Sequence, residues 1–388
     1  MRLIAFVYLI HFLRHGMVFP LIPLFAQSMG YSGIMIGAAV SGFSLLSLAA
    51  ALPMGKLSDR LSARSLLLMS AFCNLSYSVL LVLAQNIWML ISGQALGGLG
   101  FLLMIVSSQT WVSEHTEKMV RERGFGFLSL AAAVGQTIGP LLGGFFLSRT
   151  SFPAVFSLAV FFSLLGFSIA GLPASARNKE DENGKQARKS IKKALAGVAS
   201  DRKMCAVLIL TFAAVFACNL RSSFVPVLFK SRGINESAIG FLLSAFALSM
   251  TLVRIVIGRV MGVVSREVLF GLSLALIFAA TAVLPLISQV WLSAGIMFLF
   301  GTGFGISQPL SMVMVSDRAG GASGMVMGIR FFMITLATLL SPVLTGIVVE
   351  GFSLEAGFYF AAGLLLTSGI IIKLISGNQQ PVTTLSSV

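Results

Sequence analysis

The run ASARNKEDENGKQARKSIKKALAGVASDRK, positions 174–203, decides the fold, because it is the one long polar segment in an otherwise apolar chain. Reading outward from it, six apolar stretches precede it, at about 3–27, 34–54, 65–85, 87–112, 125–148 and 153–173. Six more follow, at about 204–229, 237–257, 266–288, 290–315, 324–348 and 355–376. Each has the roughly 20 residues that a helix needs to cross a hydrocarbon core about 30 Å thick. The stretch from Ser190 to Val198 is amphipathic but is read as part of a solvated linker. The expected organisation is an N-terminal six-helix bundle (1–173), a cytoplasmic linker (174–203), a C-terminal six-helix bundle (204–376) and a cytoplasmic tail (377–388).

Composition agrees. Of 388 residues, 57% are apolar and 10% charged, with a mean hydropathy of +0.96. Too few polar residues are present to surface a soluble protein of this size, so the bilayer is the expected solvent. The first stretch has no polar cleavage region and carries His11, Arg14 and His15, which makes it a retained helix. Cys73, Cys205 and Cys218 all lie in apolar runs, and their odd number and spacing suggest neither a disulfide framework nor a metal site. No metal or other cofactor is expected.

The net charge of +14 would suggest nucleic acid in a soluble protein, but here its distribution matters more. Arg2, Lys56, Arg60, Arg64, Lys118, Arg121, Arg123, Arg259, Arg266, Arg318, Lys373 and nine residues of the connector fall on one side; Arg149, Lys230 and Arg232 fall on the other. Lys and Arg accumulate on the cytoplasmic side, so both termini are expected there and nucleic acid is not an expected partner. Short loops suggest the inner membrane of a bacterium, and a monomer.

The halves repeat. Pro23 and Pro226, Gly30 and Gly233, Gly37 and Gly240, Ser41 and Ser244, Phe43 and Phe246, Gly55 and Gly258, Trp88 and Trp291, Gly98 and Gly301, and Gly100 and Gly303 all share an offset of 203. It slips to 202 for Pro140 with Pro342 and Gly144 with Gly346. Parallel six-helix repeats point to a transporter with its substrate near the midplane between them.

Two motifs then resemble the major facilitator superfamily, and the resemblance covers the whole chain. The loop after span two, Gly55-Lys-Leu-Ser-Asp59-Arg60-Leu-Ser-Ala-Arg64, is similar to that family's G-x-L-[AS]-D-R-x-G-R-[RK], departing at Ser62 and Ala63. Gly55 is read as permitting a tight turn, with Asp59 bonding Arg64, Glu114 or a helix N-terminus. The resemblance implies a latch closing the cytoplasmic face. In span five, Gly135-Gln-Thr-Ile-Gly139-Pro140-Leu-Leu-Gly143-Gly144 matches G-x-x-x-G-P-x-x-G-G, the antiporter motif of drug:proton exporters. Its glycines let a neighbouring helix approach closely, and Pro140 loosens the backbone. Gln94 stands where a third motif carries an Arg implicated in proton coupling, which puts the family's usual coupling route in question.

Four arginines remain inside spans: Arg14, Arg221, Arg254 and Arg330. A charge at the bilayer centre costs at least about 2.5 to 3.5 kcal/mol, so each needs a reason. Arg254 and Arg330 lie near cytoplasmic helix ends, where snorkelling or a gate contact accounts for them. Arg14 and Arg221, the latter beside Asn219, Ser222 and Ser223, are deeper. Because the family lines its cavity with spans one, four, seven and ten, the resemblance implies that they face each other across the pseudo-twofold axis. His11, Arg14 and His15 at i, i+3 and i+4 are read as one functional face, with the histidines as proton sites. Gln109, Gln136 and Gln308 are weaker candidates.

The fold expected is therefore an all-α membrane protein of twelve transmembrane helices in two pseudo-twofold-related six-helix bundles. The function expected is alternating-access efflux of a small organic solute, anionic or zwitterionic, in exchange for protons. The alternatives are a multidrug exporter of lipophilic compounds, an organic-anion importer or exchanger, and an anionic-lipid flippase. No H-E-x-x-H, G-x-S-x-G or phosphate loop suggests catalysis.

Overall fold

A computed structural model describes residues 2–113, 118–171, 201–318 and 323–377. The connector up to residue 200, the tail beyond 377 and Glu114 lie outside the described residues. Helices form where the apolar runs end at polar or glycine-bearing turns. They are α1 (Arg2–Val18, continued by Ile22–Ser28), α2 (Gly33–Arg60), α3 (Ala63–Leu83), α4 (Ile87–Ser113), α5 (Lys118–Leu147) and α6 (Phe152–Ala170). The second set is α7 (Arg202–Ser223, continued by Val225–Ser231), α8 (Glu236–Val260), α9 (Arg266–Val283), α10 (Val290–Arg318), α11 (Ser323–Gly351) and α12 (Leu354–Gly377). Eleven of these are long and apolar enough to cross a membrane, and Leu354–Ile370 of α12 is a shorter apolar helix.

The repeat is visible atom by atom. Gly30 and Gly233 both have positive φ, at 82° and 76°, a conformation that glycine adopts without steric cost. Each ends a helix through the same bonds: Gly30 N to Gln27 O with Tyr31 N to Ala26 O, and Gly233 N to Lys230 O with Ile234 N to Phe229 O. The prolines at 23 and 226 restart α1 and α7 after a break, where the missing N–H costs least. Gly98 lies against the Phe43 carbonyl just as Gly301 lies against that of Phe246.

One expectation about a turn is corrected. Gly55 does not make one: α2 runs helical through Gly55 to Arg60, and the chain turns at Leu61–Ser62 instead. Ser62, the departure from the family pattern, caps α3, its Oγ accepting from Ser65 N at 3.1 Å.

The core explains how the halves meet. A large buried cluster joins Met17, Val18 and Ile22 of the first half to Phe216, Leu220 and Phe224 of the second. Toward the face bearing the described chain ends, the halves keep separate cores, one around Ile4, Val7 and Leu67, the other around Met204, Leu269 and Leu310. The molecule is thus sealed on one side and parted on the other, here named the outer and terminal faces.

Candidate functional site

Two seams make the outer seal. Between α5 and α8, a Cβ on Gly144 would overlap the Glu236 carbonyl, and one on Gly240 would overlap that of Pro140. Between α2 and α11, Gly37 meets the Pro342 carbonyl and Gly346 that of Gly33. The two seams correspond under the repeat, so the same small-residue chemistry closes both. Polar contacts finish them: Ser148 Oγ lies 2.6 Å from Ser237 Oγ, and Glu350 accepts from Ser32 Oγ at 2.7 Å and Ile34 N at 3.0 Å. The Glu350 carboxylate caps the α2 N-terminus, where negative charge is favoured.

The span-five motif serves two partners at once. Gly135, Gly139 and Gly143 face α1, where an added Cβ would press on Leu13, Gly16 and Met17, while Pro140 and Gly144 face α8 across the seam. In the second half the residues at the corresponding offset are Ala337, Ser341 and Thr345, and Ser341 Oγ donates to Phe216 O at 2.7 Å. The glycine stripe therefore belongs to α5 alone, and α11 is tied to α7 instead.

Below the seal, a cavity of about 200 Å³ lies between the halves. Phe12, His15, Gly16, Phe19 and Pro20 of the first span, Phe101 of α4, Gln136 and Pro140 of α5, and Arg221 of α7 line it. His15 stacks on Phe19 at 4.9 Å and approaches Phe101 at 4.7 Å and Phe43 at 5.1 Å, and its Nδ1 is buried without a hydrogen-bond partner. The Arg221 guanidinium sits 4.7 Å from the Phe246 ring centroid, and its Nε is likewise unpaired. Among the described residues, Arg221 is the only permanent cation of this lining and no carboxylate joins it. A buried donor without a partner is costly, which suits a site completed by a ligand.

Arg14 is a correction. It does not face Arg221: its guanidinium turns into the first bundle, donating to Asn74 Oδ1 at 2.5 Å and Ser78 Oγ at 3.2 Å, 5.2 Å from the Tyr77 ring centroid. Arg14 is 2% exposed, and its partners are neutral dipoles held by Ser70 and Ser163. The expected single face of His11, Arg14 and His15 is accordingly divided. His15 lines the chamber and Arg14 fills the bundle, with His11 beside it against Phe12 and Phe101 and its Nε2 unpaired.

Other candidates separate in the same way. Asn219 bonds Val215 O at 2.9 Å and Thr338 Oγ1 at 3.4 Å, within its own half. Arg330 is not a contact between halves; it donates to Gln308 O at 2.9 Å, Gln308 Oε1 at 3.0 Å and Ser311 Oγ at 2.8 Å. That occupies the Gln308 carbonyl oxygens, although its Nε2 stays unpaired. Arg64 is exposed, while the side chains of Asp59 and Arg60 fall, with Glu114, outside what the structure describes. Under the repeat, Glu114 corresponds to Asp317, which forms an ion pair with Arg266 between α9 and α10, whereas Arg64 corresponds to Glu267.

Toward the terminal face a second, larger cavity of about 590 Å³ opens between α1, α4, α5 and α8, lined by Tyr8, Gln109, Gln136, Thr251 and Arg254 among others. Phe12 and Gln136 line both cavities and so stand between them. Nothing in the sequence pointed to the aromatic chamber wall, but a signal for the Arg14 receptor was present: Ser70, Asn74 and Ser78 recur every four residues on one face of α3.

Two related helical bundles, sealed on one face around a chamber near the middle of their length, have the architecture of a membrane transporter. The profile of the Major Facilitator Superfamily matches residues 4–329 and 207–386, and the chain belongs to that family. Among relatives, Multidrug resistance protein 1 of Bacillus subtilis (strain 168) is 23% identical over 384 residues, covering 94% of this chain and 93% of that protein. Tetracycline resistance protein, class B, of Escherichia coli is 24% identical over 342 residues, covering 86% and 84%. The crystal structure of the nucleoside transporter NupG superposes with a TM-score of 0.78 at 12% identity, covering 97% of this chain and 99% of that one.

Proposed function

We propose that the protein exports small aromatic solutes bearing an anionic or zwitterionic group, by alternating access and in exchange for protons. One observation carries the charge of the solute: among the described residues, Arg221, unpaired at Nε, is the sole permanent cation in a chamber whose wall includes Phe12, Phe19, Phe101 and His15, and no acid lines it. An aromatic carboxylate would gain ring stacking and a charge-assisted hydrogen bond together. Export is supported by the drug-resistance relatives and by the intact span-five motif. His15 is the proposed proton carrier, since the residue lines the chamber and its buried Nδ1 has no hydrogen-bond partner. His11, one turn below, is the accessory site. The wide aromatic wall also favours a second reading, export of assorted lipophilic compounds, in which Arg221 is incidental.

The two readings part in proteoliposomes with an imposed pH gradient. Aromatic carboxylates should be carried in preference to aromatic quaternary amines, and Arg221→Gln should reduce carboxylate transport by at least about tenfold, the value of one charged hydrogen bond. Preference for the amines, with Arg221→Gln inert, would establish the lipophilic reading instead. Proton exchange through the histidines fails if the His11→Gln, His15→Gln double variant still responds fully to the gradient.

A further inference from the structure

The larger cavity has features that the export reading leaves unused. It is not a widening of the chamber alone, because its outer wall belongs to the lipid: Leu130 is 60% exposed, Ile255 71% and Phe125 41%. These three sit at the seam where α5 and α8 part toward the terminal face. Behind them, four groups converge without a hydrogen-bond partner among the described residues: the Arg254 guanidinium, the Gln109 and Gln136 amides and the Tyr8 hydroxyl. Among the described residues, no carboxylate lines the cavity. Snorkelling accounts for an arginine near a helix end, but not for amides and a phenol turned toward it from three other helices.

We propose that this cavity is a binding site for the anionic headgroup of a membrane phospholipid, whose acyl chains lie along Leu130, Phe125 and Ile255. Arg254 is the ion-pairing group, and Gln109, Gln136 and Tyr8 donate to phosphate oxygens. Basic pockets between transmembrane helices hold anionic headgroups by this combination of charge and donors. A headgroup seated between α5 and α8 would wedge the terminal side apart, so the lipid is a ligand of this conformation and not of one closed on that side.

The test uses the full chain in phosphatidylcholine nanodiscs containing a minority of phosphatidylglycerol, extracted gently and read by native mass spectrometry. Wild type should retain phosphatidylglycerol over phosphatidylcholine, Arg254→Gln should lower that preference about fivefold or more, and Arg254→Lys should keep part of it. Arg259→Gln, which removes an exposed charge from the same helix, should leave the preference intact, as should Arg221→Gln. Retention unchanged in Arg254→Gln, or lost equally in Arg259→Gln, overturns the site. Glycerol 3-phosphate displacing phosphatidylglycerol at equal concentration would also overturn it, since the ligand would then be a free phosphate rather than a lipid. Because Arg221 variants are read here for lipid and in the transport assay for solute, this proposal and the export reading can fail separately.

Discussion

Arg14 and Arg221 show what one residue type does in two surroundings. Arg14 has both guanidinium ends satisfied by Asn74 and Ser78, so its bonds stabilise the first bundle; Arg221 lines the chamber and its buried Nε has no partner. Arg14→Ala should therefore destabilise the protein by about 2 to 4 kcal/mol, because Asn74 is left buried without its donor. Arg14→Lys should recover little, since a single ammonium cannot reach two acceptors in fork geometry. Arg221→Ala should leave thermal stability near wild type while transport falls. Melting curves in detergent beside transport in vesicles check the contrast; an Arg14→Ala protein that melts normally but binds solute poorly would reverse the assignment. The sequence placed both arginines deep in the membrane but not which way they turn. A helix puts Arg14 and His15 about 100° apart, and that angle separates a bundle interior from a cavity. Only the polar stripe Ser70, Asn74, Ser78 on α3 carried the missing direction, and it required knowing that α3 neighbours α1.

At the scale of the element, α5 holds its neighbours on two faces, and its glycines are not equivalent. A methyl at Gly139 would meet Leu13 O at 2.7 Å and the Gly16 backbone at 2.8 Å, whereas one at Gly126 would meet nothing within 4 Å. Gly139→Ala should cost about 1 to 3 kcal/mol by overpacking, with a matching loss of transport, since a displaced α1 would carry the chamber-lining His15 and Phe19 with it. Gly126→Ala should be neutral, or stabilise by up to about 1 kcal/mol, because it removes only backbone freedom from a helix. Thermal shift and initial transport rate on both variants decide the matter; equal damage from the two would mean that the glycines set flexibility rather than contact. Helices were the most legible feature of the sequence: each apolar run became a helix, since a segment in lipid must satisfy its own backbone. The antiporter motif was legible as a close-packing face. Its division into an α1 face and an α8 face was not, for adjacent residues Gly139 and Pro140 read alike until two neighbouring helices are in place.

For the whole molecule, the shared core on the outer side and the separate cores on the terminal side describe an arrangement closed on one face and open on the other, which the proposed alternating access makes one of two. The offsets of 203 and 202 anticipated the paired bundles, yet a repeat is equally present in every state of the cycle, so nothing in the sequence chose the closed face. If the halves rock, the seal at Ser148 and Ser237 must open each turnover. Their hydroxyl oxygens are 2.6 Å apart, close enough for cysteines there to bridge with small backbone adjustment. In a background with Cys73, Cys205 and Cys218 replaced by alanine, Ser148→Cys, Ser237→Cys should transport normally when reduced, stop when oxidised, and recover with dithiothreitol. The bridge should leave phosphatidylglycerol retention undiminished, because it holds the state in which the terminal cavity is open. Undiminished transport by the fully oxidised double variant would show that α5 and α8 stay together at their outer ends throughout the cycle. The moving seam would then be the one between α2 and α11, where Glu350 caps the α2 N-terminus.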